Sequence, residues 1–166
     1  SVKNSLMEAE ITAAGTRRIK QIIPQYQKKR PWDGNIYIVT YDIPVEHSWE
    51  RDLLRQFLKK IGCGLLQESI WITPYNPTEI VRQFVDERDL EGTIIVSVLG
   101  KEGSIGDMSP RELIEKVYKL EVFNSRYQEF ILKCRGGREN IAQMDFLYLS
   151  VLQDDPQLPF ELLPEW

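Results

Sequence analysis

The clearest strand pattern in the chain runs from Ile36 to Ile43, between the turn-forming pair Gly34-Asn35 and Pro44. Seven of these eight residues are β-branched or aromatic, types that fit a pleated surface. Both alternating faces are apolar, so the segment is predicted to be a central strand covered on both sides. Asp42 then lies where this buried strand ends.

Helical and extended patterns alternate after this strand. An apolar stripe from Trp49 to Ile61, stopped by Gly62, predicts a first helix. Two short strands are predicted at residues 64–67 and 69–75. The apolar run of residues 93–99 predicts another strand, buried on both faces.

Between these strands, Asn76-Pro77-Thr78-Glu79 is typical of a helix start with a capping box. The helix that follows is predicted to point Ile80 and Val81, with Phe84 and Val85, into the core. The order strand, helix, strand, strand, helix, strand predicts an α+β fold, a ferredoxin-like βαββαβ sandwich with an appended C-terminal helical region.

The flanking regions have their own patterns. A second capping box at Ser109 to Glu112 opens one or two helices that end near residue 136, and a further helix is predicted over residues 141–152. The tail of residues 155–164 contains three prolines, so we expect it to lie extended with its leucines buried. At the front, residues 6–12 are predicted to form a strand, Thr12 to open a helix, and residues 25–31 to form a polar linker, which places a domain boundary near residues 24–33.

Composition is that of an ordinary globular protein, with 166 residues, of which 42% are hydrophobic and 28% charged. No apolar run approaches the roughly 20 residues that cross a bilayer, and the first residues lack the basic-then-apolar pattern of a signal peptide, so we expect a cytoplasmic protein with no membrane contact. Cys63 and Cys134 lack metal-ligand spacing and are expected to be reduced structural thiols. The chain starts at Ser1 without an initiator methionine, and we expect its N-terminus to be incomplete.

Charge is unevenly distributed along the chain. Net charge is −4, but residues 1–35 carry seven Lys and Arg against three Asp and Glu, so the remainder holds −8. The basic segment of residues 1–35 is either a solvated surface or a segment that faces phosphate groups. Candidate nucleic-acid contacts, with two arginines of the first predicted helix added, are Arg17, Arg18, Lys20, Lys28, Lys29, Arg30, Arg51 and Arg55.

Asp42 is the carboxylate that the pattern places at the end of a central strand. One carboxylate holds Mg²⁺ poorly, because this ion takes about six oxygen ligands. Two copies of Asp42, one from each chain of a dimer, would supply more of these oxygen ligands. The alternative is a local role, in which Asp42 caps the following turn through hydrogen bonds. His47, at the start of the first helix, is interpreted as surface, and Trp71 as core or dimer interface rather than a base-stacking residue.

Several segments together resemble PaaX-type transcriptional regulators, over nearly the whole chain. The matching segments are residues 32–34, 41–44, 51–55, 62–67, 69–75 and the tail 158–166. In that family a winged helix-turn-helix precedes the middle domain, and residues 10–19 look like its last wing strand and following helix. The resemblance implies three parts: a wing remnant with linker at 1–31, a middle domain at 32–103 and a C-terminal helical region at 104–166.

The middle domain is also similar to the CRISPR-associated protein 2 family, whose first strand ends in Tyr-Asp and whose members dimerise. This resemblance implies that Asp42 is the metal-binding and catalytic position of a Mg²⁺-dependent nuclease. Residues 100–166 have no counterpart there and favour the regulator. A regulator implies no metal or other cofactor, but a homodimer, DNA bound through an upstream winged helix, and a small aromatic acyl-CoA effector in some members.

Overall fold

A computed structural model describes residues 26–99, 108–136 and 140–165. The predicted strand and helix of residues 6–23, with the wing remnant, lie outside the described residues. Among those described, residues 28–124 and 156–165 form one compact unit, and residues 26–27 and 125–155 belong to another. Across them, no helix has both the length and the apolar character needed to cross a membrane.

The larger unit is built on a four-stranded antiparallel sheet, and the protein is α+β. Its strands are β1 (Ile36–Asp42), β2 (Gly64–Gln67), β3 (Ile70–Thr73) and β4 (Thr93–Leu99), in the spatial order β2-β3-β1-β4. Val39 of β1 lies opposite Trp71 on one side and Val96 on the other. The central position predicted for the first strand is therefore confirmed.

Five α-helices are described: α1 (Ser48–Lys60), α2 (Thr78–Arg88), α3 (Pro110–Tyr118), α4 (Leu120–Gly136) and α5 (Ile141–Asp154). Short 3-10 turns occupy Val45–His47 and Phe160–Leu162. Gly62 follows α1 with φ +87°, the left-handed backbone that stops a helix. The predicted order of strands and helices over residues 35–99 is confirmed.

The α1 and α2 side of the sheet holds the first core cluster. Val39, Tyr41 and Trp71 point from the strands, and Leu54 and Leu58 of α1 are completely buried among them. Trp71 is only 5% exposed, as expected for a core residue. Burying each Leu side chain contributes roughly 1.5–3 kcal/mol to folding.

The opposite side of the sheet holds the second cluster, which joins Ile36 and Ile72 to α3 and the tail. Leu158 and Leu162 are 1% and 2% exposed and Leu163 is half-buried, so the predicted burial of the tail leucines is confirmed for two of the three. The tail also forms the 3-10 turn Phe160–Leu162. Its backbone carbonyls accept hydrogen bonds from Arg30, Tyr75 and Arg111.

Tyr118 attaches α3 to the sheet. Its hydroxyl accepts a hydrogen bond from the Gly64 amide at 3.1 Å and lies 2.8 and 2.9 Å from the carbonyl oxygens of Gly62 and Ile72. A hydroxyl has one proton and therefore donates to one of these carbonyls at a time. Burial raises the pKa of Tyr118 well above its usual value. A Cβ on Gly64 would lie 2.5 Å from Val117, so the glycine permits this close packing.

Two predictions of burial are wrong. Ile80 is 46% exposed, because it lies on the outer side of α2, beside buried Val81. Trp49, at the start of the apolar stripe of α1, is also exposed. The strand at residues 93–99 is exposed or half-buried throughout. An apolar run identified β4 as a strand, but its position at the sheet edge leaves Ile95 and Val98 exposed.

The two predicted capping boxes differ in outcome. Ser109 and Glu112 form a complete capping box at α3, and their reciprocal hydrogen bonds are 3.3 and 2.8 Å long. At α2 the box is absent. There the Asn76 side chain accepts from the Thr78 amide, and Glu79 pairs with Arg82 instead.

The two cysteines lie in different surroundings. Cys63 is buried in the first core cluster, and burial raises the pKa of its thiol to about 12. Cys134 is exposed on α4. Neither forms a disulfide, as expected.

Candidate functional site

A polar cleft of about 460 Å³ opens where β1 ends. Three parts of the chain line it: the end of β1 with Ile43, the first half of α1, and the turn between β2 and β3. The antiparallel pairing places this turn beside the end of β1, because Thr40 pairs with Ile70. The lining residues are Tyr41, Asp42, Ile43, Arg51, Arg55, Glu68 and Ser69.

Asp42 is exposed in this cleft. In the part of the chain that the structure describes, its carboxylate has no hydrogen bond or ion pair. The 3-10 turn after it begins at Pro44 without a side-chain cap. A local capping role for Asp42 is therefore wrong, and the carboxylate faces solvent.

Arg51 and Arg55 reach the cleft from α1. They are four residues apart, so they lie on neighbouring turns of one helix face. Arg51 is half-buried and Arg55 is exposed. Within residues 26–99, 108–136 and 140–165, neither guanidinium has a carboxylate within 4.0 Å. The cleft thus places two cations near Asp42 and Glu68 without ion pairs between them.

Tyr41 contributes to the lining of this cleft, and its side chain carries a buried polar group. The side chain is 5% exposed, and its hydroxyl is buried without a hydrogen-bond partner among the described residues. Trp71, on the same face of the neighbouring strand, likewise has a buried indole N–H that lacks a partner there. Each such group costs roughly 1–3 kcal/mol in desolvation.

Gly92 fixes the backbone beneath Asp42. It adopts φ +116°, and a Cβ at this position would lie 2.5 Å from the backbone oxygen of Asp42. Only glycine tolerates both this dihedral angle and this approach. The loop between α2 and β4 therefore positions the end of β1 directly.

His47 connects the start of α1 to the same loop. Its Nδ1 donates to Glu50 at 2.8 Å, and its Nε2 lies 3.3 Å from a carboxylate oxygen of Glu91. The Glu50 carboxylate, buried at 6% exposure, also accepts from the Glu91 amide at 3.0 Å. The bond to Glu50 raises the pKa of His47, and the same bond lowers the pKa of Glu50. His47 is therefore part of a defined cluster, which its sequence position did not indicate.

The remaining predicted nucleic-acid contacts divide into three groups. Lys28 and Lys29 are exposed and are the first two residues of the larger unit. Arg17, Arg18 and Lys20 lie outside the described residues. Arg30 requires a correction: it is 6% exposed, donates to the carbonyl of Leu158 at 3.1 Å and lies 4.7 Å from the Phe160 ring centre.

Because the guanidinium of Arg30 is enclosed by the tail, a phosphate does not reach it. The prediction that Arg30 contacts a phosphate is therefore wrong. The helix positions of Arg51 and Arg55 were inferred correctly from the sequence. Glu68 and Ser69 were missed because a two-residue turn between short strands has no periodic signal, and only the fold brings it to Asp42.

A metal requires more ligands than one copy of this cleft supplies. Among the described residues, no three His, Cys, Asp or Glu side chains come together as a group that holds a metal ion. Asp42 and Glu68 alone fall short of the oxygen-rich shell of Mg²⁺. Within one chain these residues therefore do not fit a resident metal.

Comparison with known proteins identifies the family. No curated protein matches the chain. The model of the PaaX protein central Cas2-like domain matches residues 29–114, which cover β1 to β4, both helices between them, the cleft and the start of α3. This match spans more than half of the sequence, and the chain therefore belongs to the PaaX family and contains its Cas2-like central domain.

Proposed function

We propose that the chain is the dimerisation and effector-sensing part of a PaaX-like DNA-binding transcriptional regulator. The observation that carries this proposal is the family match over residues 29–114. The proposal includes a ferredoxin-like arrangement of the central domain, supported by the βαββαβ order and the strand order β2-β3-β1-β4. DNA is bound through an upstream winged helix, in the cytoplasm, and a small aromatic acyl-CoA is the effector.

The edge strand β4 supports the dimeric part of the proposal. Thr93–Leu99 contains no charged residue and no proline, the devices that proteins use to keep an edge from pairing. Ile95 and Val98 point to opposite faces of this strand and are 50% and 58% exposed. A second copy of the chain, paired along β4, would cover both side chains and continue the sheet.

Sedimentation velocity of the intact protein tests the dimer. We expect the wild type to sediment as a dimer and Val98→Lys to shift it towards monomer, because a lysine at the pairing edge opposes strand addition. Ile80→Lys is the matched control, since Ile80 is an exposed apolar residue on α2, and should leave the dimer intact. A monomeric wild type would contradict dimerisation. If Val98→Lys and Ile80→Lys contain the same fraction of monomer, β4 is excluded as the interface.

A mobility-shift experiment tests the regulatory role. From a pool of random duplexes, the intact protein should enrich a fragment that it retards more strongly than a shuffled sequence of equal length. An aromatic acyl-CoA should release this DNA, because an effector shifts the equilibrium only by its different affinity for the two states. Equal binding to both DNA fragments would contradict sequence-specific regulation.

A second candidate function, a Mg²⁺-dependent nuclease, is favoured by one observation. The Asp42 carboxylate is exposed without a partner among the described residues and shares a cleft with Arg51 and Arg55. A metal site would need Asp42 from two copies, because one chain supplies too few ligands. Cleavage of DNA or RNA that requires Mg²⁺ and disappears in Asp42→Ala would support it. Cleavage that persists in this variant would exclude it.

A further inference from the structure

The cleft at the end of β1 combines charges of both signs, with two arginines and two carboxylates in its lining. We propose that it binds a small phosphate ester that also carries hydroxyl or amino donors, with the size and chemistry of a mononucleotide. This proposal goes beyond the regulatory function and does not depend on it, since it rests on the residues of the cleft alone.

Arg51 and Arg55 form the anionic half of the proposed site. A guanidinium presents paired N–H donors that match two oxygens of a phosphate, and two guanidiniums on one helix face hold one group from two directions. Neither side chain is neutralised by a carboxylate within 4.0 Å in the described structure. A phosphate therefore does not have to displace an existing ion pair from either arginine.

Asp42 and Glu68 form the other half. Ionised carboxylates only accept hydrogen bonds, so they select a ligand that presents hydroxyl or amino donors, as a ribose or an amino-substituted base does. A ligand that carries both a phosphate and hydroxyl donors satisfies both halves of the site.

Size and charge favour a small ligand over a nucleic-acid strand. A volume of about 460 Å³ lies within the range of roughly 300–1,000 Å³ typical of small-molecule sites. The two arginines and the two carboxylates cancel in formal charge, whereas a groove that follows a polynucleotide backbone is strongly positive. A polymer would bring additional phosphates close to the carboxylates, whereas a mononucleotide has one phosphate, which the two arginines bind.

Isothermal titration of the full chain with 5′-AMP at low salt tests this inference. We expect saturable binding, with adenosine and inorganic phosphate each at least about tenfold weaker because each satisfies only half of the site. The double variant Arg51→Ala/Arg55→Ala should weaken AMP binding by about tenfold or more. Asp42→Asn/Glu68→Gln should reduce the preference for AMP over phosphate.

Lys59→Ala/Lys60→Ala is the matched control, because it removes two positive charges from the same helix at positions outside the cleft. It should retain wild-type affinity. The proposal is overturned if AMP gives no saturable binding, or if the lysine double variant weakens AMP binding as much as the arginine double variant does. It is also overturned if a twelve-nucleotide single strand binds through Arg51 and Arg55 while AMP does not. Circular dichroism of each variant confirms that the fold is kept.

Discussion

The Tyr118 hydroxyl on α3 lies 2.9 Å from the carbonyl oxygen of Ile72 on β3. This contact joins the segment after β4 to a strand in the interior of the sheet. Both residues also belong to the second core cluster. The face of the sheet opposite α1 and α2 is thus covered by residues that follow the four strands in sequence.

Tyr118→Phe should lower the free energy of unfolding by about 1–3 kcal/mol, because the Gly64 amide and the nearby carbonyls lose a buried partner. Urea denaturation followed by circular dichroism measures this change. Tyr148→Phe is the matched control, since its hydroxyl makes no hydrogen bond within the described residues. An equal effect of the two substitutions would contradict a specific role for the Tyr118 hydroxyl.

Gly92→Ala should destabilise the protein by at least about 1 kcal/mol and distort the cleft. The substitution combines an unfavourable φ with a Cβ placed against the Asp42 backbone. Gly136→Ala provides the comparison, because its Cβ would contact nothing within 4 Å and alanine is the better helix former. Thermal melts of both variants measure the difference, and a neutral Gly92→Ala would show that the loop adapts.

The His47–Glu50 pair should make stability depend on pH in both directions. His47 has a raised pKa in the folded state, so its contribution is complete below its ordinary value of 6.5 and is lost as the pH rises through the raised value. Glu50 has a lowered pKa, so its contribution is present above 4.5 and is lost as the pH falls through the lowered value. The pair therefore contributes most to the free energy of unfolding between pH 4.5 and pH 6.5.

Urea denaturation of wild type and His47→Gln at a series of pH values tests this dependence. The difference in free energy of unfolding should be largest between pH 4.5 and 6.5 and should shrink above and below this range. The charges that face the imidazole are those of Glu46, Glu50 and Glu91. A difference independent of pH would exclude an ionic role for His47.

Arg30→Ala should release the C-terminal tail. The side chain donates to the Leu158 carbonyl and packs over the Phe160 ring, and losing both contacts should cost about 2 kcal/mol or more. Limited proteolysis should then cleave near residues 156–162 sooner than in wild type. Lys29→Ala, at an exposed neighbouring position, should leave the cleavage rate unchanged. Equal rates in both variants would contradict this role for Arg30.

Sequence patterns predicted the elements well because each pattern reflects local geometry. The β1 strand, the α1 stripe and the Ser109 capping box depend on residues at most a few turns apart, so their signals are contained in short windows. Asp42 was placed at the end of β1 for the same reason. The buried leucines of the tail were also predicted, since three prolines exclude a long helix.

Burial and the composition of the cleft depend on distant residues and were only partly predictable. The run Thr93–Leu99 reads as buried, but a strand at the sheet edge has a neighbour on one side only. Arg30 reads as a surface cation because its partners Leu158 and Phe160 are far away in sequence. Glu68 reaches the cleft only because β2 and β3 pair beside β1.

The buried thiol of Cys63 offers a means of timing the opening of the sheet domain. Alkylating reagents attack the thiolate, and a pKa of about 12 leaves almost none of it while Cys63 is enclosed. Cys134, exposed on α4, should be labelled at once. The slow second label, followed by mass spectrometry, then reports how often the core between α1 and the sheet opens to solvent, without any engineered probe.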